Sequence, residues 1–181
     1  MNGKLYSGTI ERLRNPERLH RINVENVIRY CLEKTGVNTV LDVGSGSGLF
    51  AEAFYRHGCR VTGIDISQDM MTAARRFVPE ISFQVGQMES LPYRNRSFDL
   101  VFMGFVLHES DTPALCLREA RRVSKLRTAV LEWPFIEDEY GPPLAHRLSF
   151  DRLRGIATEA GYTAISHHSL PHTELWFFQC A

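Results

Sequence analysis

The stretch VLDVGSGSGLF, Val40–Phe50, sets three glycines alternating with serines directly after a short apolar run, and Asp42 stands two positions before the first glycine. The apolar run reads as a buried strand and the segment after it, GLFAEAFYRHG, as a helix, so the glycines occupy a strand-to-helix turn. Glycine tolerates positive φ and lets a ligand approach the main chain. Such a turn makes a floor for a nucleotide-like molecule.

Two cofactor classes use a turn of this kind. A dinucleotide would use GxGxxG or GxGxxA, and Gly46, Gly48 and Ala51 satisfy that spacing, with Asp65 in the place of a ribose-binding acid. S-adenosylmethionine is the other class. A pyrophosphate would be disfavoured beside an ionised Asp42, whereas a sulfonium cofactor presents a cationic amino group that a carboxylate attracts. Asp42 therefore favours the methyl donor.

Outward from the turn, apolar and helical segments alternate: TVLDV, GLFAEAFYRHG, RVTGIDI, SQDMMTAARRF, ISFQVG, SFDLVFMGFVL, DTPALCLREARRVSK and RTAVLEW. That alternation is the sign of a parallel sheet wrapped by helices. Upstream, NPERLHRINVENVIRYCLEKTG reads as one helix that Gly36 can stop; Asp111 or Thr112 caps the DTPALC helix. After the EDEYGPPLAH break, Ser149 caps another helix that Gly161 stops. The last two runs, AISHHSL and ELWFFQCA, are joined too closely for a crossover and must pair antiparallel.

With these landmarks in order, VLDVGSGSGLF resembles the first motif of class I S-adenosylmethionine-dependent methyltransferases, small type 11-like members included. VTGIDIS and GQMESLPYRNRSFDLVFMGFVLHE are similar to the motifs that follow it, and the resemblance runs from about residue 37 to 181. It implies a Rossmann-like fold with a mostly parallel seven-stranded sheet, an antiparallel C-terminal hairpin and helices on both faces. It also implies a single domain over 1–181, with 1–36 a helical cap and 37–181 the cofactor-binding core.

By that resemblance Gly44, Ser45, Gly46 and Gly48 carry the cofactor, Asp42 attracts its amino group, Asp65 holds the ribose hydroxyls and Ile66 lies beside the adenine. Gln87 stands where many relatives have an Asp facing the adenine amino group. The main chain at Met88 faces the adenine, and Met103 with Gly104 borders the methionine moiety. Core packing is the competing reading for both methionines.

A sulfonium is an activated methyl donor, so the chain has mainly to exclude water and align a nucleophile behind the methyl. A base is needed only for a protonated nucleophile. His108, after the fourth strand at the carboxyl edge of the sheet, is the candidate catalytic base, with a helix-capping or floor role as the alternative. Glu109 and Glu132 are weaker candidates. Residues 133–149 form one wall of the acceptor pocket, and the N-terminal helix with Tyr6 and His20 forms the other, as a lid.

His167 and His168 point to opposite faces of a strand, and Pro171 interrupts a helical His168/His172 pair, so no metal site is assigned. Cys31, Cys59, Cys116 and Cys180 carry no CxxC spacing and read as thiols in the core. The 181 residues hold 44% hydrophobic and 23% charged side chains, and Lys plus Arg equals Asp plus Glu at 21 each. This balance gives no electrostatic case for nucleic acid, and the basic group Arg118, Arg121, Arg122, Lys125 and Arg127 reads as a helix end. No run is long and apolar enough for a membrane span, and the N-terminus lacks a signal-peptide core, so a cytoplasmic protein is expected.

The leading reading is methyl transfer from S-adenosylmethionine to a small-molecule acceptor. An RNA or protein methyltransferase working with a partner, a cofactor-binding protein without turnover, and a nicotinamide-dependent reductase are the alternatives.

Overall fold

The computed structural model describes residues 8–33 and 36–179. Three short helices open the chain: α1 (Ile10–Leu13), α2 (Pro16–Ile22) and α3 (Val24–Leu32). The core then runs β1 (Thr39–Val43), α4 (Leu49–Arg56), β2 (Arg60–Asp65), α5 (Gln68–Phe77), β3 (Ser82–Val85), β4 (Phe98–Gly104), α6 (Pro113–Val123), β5 (Ser124–Glu132), α7 (Phe150–Glu159), β6 (Ala164–Leu170) and β7 (Thr173–Gln179).

The strands form one seven-stranded sheet in the order β3-β2-β1-β4-β5-β7-β6. β7 pairs antiparallel with both β5 and β6, and the other pairs are parallel. The expected hairpin is present, and its second strand is inserted beside β5, from Arg127↔Gln179 to Glu132↔Glu174. The reversal of strand order between β1 and β4 opens a crevice at the carboxyl edge, where ligands of open parallel sheets bind.

Alternate residues of the central strands feed two cores, one on each face of the sheet, and a third, smaller cluster packs Phe83 of β3 with Met71 and Ala74 of α5. On one face Val40, Leu100, Phe102, Ala129 and Phe177 pack against Val27 and Ile28 of α3 and Phe50 and Phe54 of α4. On the other, Leu41, Val101, Val130 and Phe178 meet Leu117 and Ala120 of α6 and Leu153 and Ala157 of α7. Helices therefore cover both faces, as expected. Cys31, Cys59 and Cys116 are buried thiols, and burial pushes Cys31 and Cys116 up to about 12; Cys180 lies outside the described residues.

Two helix boundaries differ from the sequence reading, and the strand expected over 97–107 ends at Gly104. The single helix expected over 15–36 is broken at Asn23, which takes φ 51 and caps α2 with bonds from its amide to His20 O and Leu19 O. Asn tolerates the left-handed region, so the chain turns there while its apolar spacing continues unbroken. The helix expected to run through Lys125 stops at Val123, because Ser124 is already the first residue of β5. Thr112 is the cap of α6, without a side-chain cap bond, whereas the Ser149 hydroxyl accepts from the Arg152 amide at the start of α7.

The basic group is consequently split between α6 and β5. Arg122 binds Glu119 and the carbonyls of Leu91 and Tyr93, Lys125 bridges to Asp99, and Arg127 donates to the carbonyls of Tyr30 and Cys31. These cations tie loops and edges together. No helix among the described residues is long and apolar enough to cross a membrane.

Candidate active site

β1 delivers Asp42 to the carboxyl edge, and the glycine turn follows, with Gly44, Gly46 and Gly48 at φ 69, 53 and 76. Two of these glycines are needed for different reasons. A Cβ at Gly44 would stand 2.5 Å from the Val106 side chain, so this glycine lets the loop after β4 close on the turn. A Cβ at Gly46 would meet only Leu13, at 3.4 Å. Its absence leaves bare main chain facing the crevice.

The turn is tied to the end of β2. The Gly44 and Ser45 amides donate to Ile64 O, and the Gly46 amide donates to Asp65 Oδ2 at 2.9 Å. Asp65 Oδ1 accepts from the Ser67 amide at 2.9 Å, which also starts α5. Burial raises Asp65 above the usual carboxylate range, against the pull of those amides. Each oxygen retains acceptor capacity for a hydroxyl.

Asp42 is 1% exposed. Its Oδ2 accepts from the Ser45 hydroxyl at 2.6 Å, while Oδ1 has no hydrogen-bond partner. Burial pushes the Asp42 carboxyl up to about 7, opposed by the Ser45 hydroxyl and the nearby Ala51 amide, and reinforced by the Asp65 charge. Ser47 Oγ, 1% exposed as a residue, is likewise buried without a partner. Orphaned buried acceptors are rare because each one costs free energy. Here they border a bare glycine floor, an acceptor set suited to a cationic, hydroxyl-bearing ligand such as S-adenosylmethionine.

Of the residues expected beside the adenine, Ile66 is 55% exposed, Gln87 is exposed and Met88 is half-buried against the core. An uncovered isoleucine next to Asp65 offers an apolar face to a flat ring. Met103 is 1% exposed, with its side chain in the core, so only its main chain and that of Gly104 reach the crevice edge.

The N-terminal segment lies over the turn. Leu13 faces Gly46, and Arg14 donates from Nε and Nη2 to Ser47 O at 3.2 and 2.9 Å and from Nη1 to Glu52 at 2.6 Å. Its guanidinium is 4.3 Å from the Phe77 ring centroid. Farther on, Arg18 approaches the Phe105 ring at 5.6 Å and Arg21 covers the Tyr140 ring at 3.2 Å. α2 thus touches the loops after β4 and β5. His20 instead lines a cavity of about 460 Å³ with Asn23, Glu52 and Arg56, against α4, and Tyr6 lies outside the described residues.

The second half of the edge is built from side chains. Phe105, at φ 58, turns the chain out of β4 into a 3-10 turn, Leu107–Glu109. This turn brings His108 over the last residue of β5. The His108 amide donates to Glu132 Oε1 at 3.1 Å, and Nδ1 lies 2.7 Å from Oε2. A carboxylate can only accept, so in the neutral ring Nδ1 carries the proton and Nε2 the lone pair. Nε2 has no hydrogen bond to the described residues and is not buried away from solvent.

His108 is 7% exposed and Glu132 2%. Burial is the largest single influence and lowers the His108 pKa, and the Arg147 charge lowers it further, but the charge and hydrogen bond of Glu132 together with the Glu109 charge hold the imidazole above its ordinary value. Sequence reasoning placed Glu132 at a strand end without its partner and passed over Arg147 altogether. His167 pairs with Glu174 and packs, tilted, against Trp176, while His168 stacks on Tyr30 at the opposite face.

Residues 41–129 match the family model described as a methyltransferase domain. A demethylmenaquinone methyltransferase of Renibacterium salmoninarum is 33% identical over 103 residues, 57% of this chain and 44% of that protein. A malonyl-[acyl-carrier protein] O-methyltransferase of Erwinia billingiae is 31% identical over 106 residues, 59% of this chain and 42% of that protein. The chain spans less than half the length of these curated relatives. Among solved structures, a SAM-dependent methyltransferase from Aquifex aeolicus superposes with a TM-score of 0.82 at 25% identity, covering 95% of this chain and 97% of that one.

Proposed function

Because the chain belongs to the class I S-adenosylmethionine-dependent methyltransferases, we propose that it methylates a small-molecule acceptor, with His108 as general base and Glu132 holding its ring. The observation that carries this reading is the buried His108–Glu132 pair. It commits Nδ1–H to a carboxylate and leaves the Nε2 lone pair at the carboxyl edge.

Bound S-adenosylmethionine supplies an electrophilic methyl group on a sulfonium. Around it, Asp42 receives the cationic amino group, Asp65 the ribose hydroxyls, and Gly44 to Gly48 the main-chain floor. Ile66, Gln87 and the Met88 main chain flank the adenine, and the Met103–Gly104 main chain borders the methionine. Residues 37–181 act as the core and 1–36 as the lid, which Arg14 fastens to the turn. His108 Nε2 takes the acceptor proton as the nucleophile forms its bond to the methyl carbon, the carbon–sulfur bond breaking so that neutral S-adenosylhomocysteine leaves. Glu132 then stabilises the imidazolium, and a base so placed typically contributes about 10²–10⁴-fold. A small acceptor is supported by relatives named for demethylmenaquinone and malonyl-[acyl-carrier protein] and by the balanced charge of the chain.

The test is incubation with methyl-labelled S-adenosylmethionine and a panel of small molecules bearing O–H, S–H, N–H or acidic C–H groups. Label should pass to one class of acceptor, and His108→Gln should slow transfer by about 10²-fold or more while S-adenosylhomocysteine affinity is unchanged. A wild-type rate in that variant removes the base. Binding of NADPH in place of S-adenosylhomocysteine, read by calorimetry, removes the whole reading.

A further inference from the structure

Arg147 is 2% exposed, and a guanidinium so deeply buried normally faces a carboxylate. This one makes no ion pair with the described residues. It donates instead to four main-chain carbonyls: Nε to Pro142 at 2.9 Å, Nη1 to Pro134 at 3.0 Å and Ile136 at 2.7 Å, and Nη2 to Tyr140 at 2.5 Å. All four belong to the segment between β5 and α7, whose only helical element is a 3-10 turn, Leu144–His146. Carbonyls of such a loop ordinarily face water. Here they converge on one cation, as ligands converge on a metal ion.

The convergence has a geometric consequence at the reacting edge. Pro134 is two residues beyond Glu132, so the guanidinium fixes the chain where β5 ends. Gly141, at φ 86, brings the returning loop so close to Trp133 that a Cβ there would meet the indole at 2.7 Å. Trp133 in turn packs on Phe105 at 4.6 Å, the residue that starts the turn bearing His108. The same cation is near enough for its charge to oppose protonation of His108, which Glu132 from β5 and Glu109 from the same turn favour.

We propose that Arg147 is a positioning residue of the methyl-transfer site: the loop after β5 folds around its guanidinium, and this fixes Glu132 against His108. The inference rests on the reading of His108 as base, since only then does the placement of its ring govern the reaction. A planar fork with five donors serves four carbonyls at once, and a lysine ammonium, with three donors at one point, does not.

Arg147→Met and Arg147→Lys, made in the full chain, test it by three measurements: the downfield Nδ1–H resonance of His108, proteolysis within residues 134–146, and S-adenosylhomocysteine affinity. In Arg147→Met the resonance should disappear and cleavage should speed up at least about tenfold, with affinity within about twofold of wild type. Arg147→Lys should keep the fold, with a ring proton that exchanges about tenfold faster than in wild type. A folded Arg147→Met protein that retains the resonance overturns the proposal, even where the loop is cleaved, because the arginine would then serve the loop alone. Should Arg147→Met not fold, unchanged ring-proton exchange in Arg147→Lys overturns it. Failure of the base reading looks different: His108→Gln would keep the wild-type rate while the Arg147 effects on the ring proton stood.

Discussion

The two halves of the carboxyl edge are made from different materials. The half we assign to the methyl donor is compact in sequence: Asp42, the glycine turn and Asp65 lie within 25 residues and are joined mainly through amides, Gly46 N to Asp65 and Gly44 N to Ile64 O. In the half we assign to the acceptor, His108 and Glu132 stand 24 residues apart, and Arg147 reaches them through a loop. One half depends on backbone shape and the absence of side chains. The other depends on side chains meeting across the fold. Damage to the first should therefore appear as lost cofactor affinity, and damage to the second as lost rate.

The largest effect expected is on the acceptor side. Glu132 Oε1 and Oε2 each accept a bond from His108, and Glu132→Gln keeps one acceptor and turns the other into a donor. That donor faces Nδ1, so the ring must present its lone pair there and move the proton to Nε2. A ring in that tautomer has no free base at the edge. Methyl transfer should fall by about 10²–10⁴-fold with S-adenosylhomocysteine affinity unchanged. A rate within threefold of wild type would break the division between the halves.

Next in size is Gly46→Val. The position has φ 53 and open space up to Leu13, so the branched side chain costs about 1–2 kcal/mol of left-handed strain while leaving the fold in place. It also covers the floor, and affinity for S-adenosylhomocysteine should drop by about 10²-fold, some 2.7 kcal/mol. Gly44→Ala is the contrasting variant. Its Cβ collides with Val106, so its loss should register first as a lower melting temperature. Equal affinity in Gly46→Val and wild type, by calorimetry, would mean that the turn is not the cofactor surface.

The same division explains what could be read from the sequence. Positive φ restricts the residue type, so the glycine turn is written in the letters themselves, and alternating apolar segments announce a parallel sheet. The antiparallel hairpin follows from its short connection. The insertion of β7 between β5 and β6 does not, because strand order is not a local property. Asn23 breaks a helix without breaking its apolar spacing, and α6 passes into β5 with no glycine or proline between them. Glu132 could be noticed as an acid closing an apolar strand, but its histidine partner could not be identified. Arg147 gives no signal, since its partners are carbonyls that any residue would supply.

The smallest effect tests the one acid in the donor half that lacks a full set of partners. Burial holds Asp42 at about 7, against 3.8 for a free carboxyl, so the folded chain binds this proton more tightly than the unfolded chain. Its contribution to stability is therefore complete below 3.8 and is lost as pH rises through about 7, the reverse of a salt-bridged aspartate. A cationic amino group beside Oδ1 favours the ionised form, so cofactor binding at pH 6 must expel about one proton. Affinity for S-adenosylhomocysteine should rise about tenfold between pH 6 and pH 8 and then level off. Calorimetry at pH 6 in two buffers of different ionisation enthalpy counts the released proton. Asp42→Asn should bind more weakly, release none and lose the pH dependence above pH 6, because the carboxyl that takes up the proton is gone. Proton release persisting in Asp42→Asn would assign it to Asp65 and leave the orphaned Oδ1 without a role in the donor half.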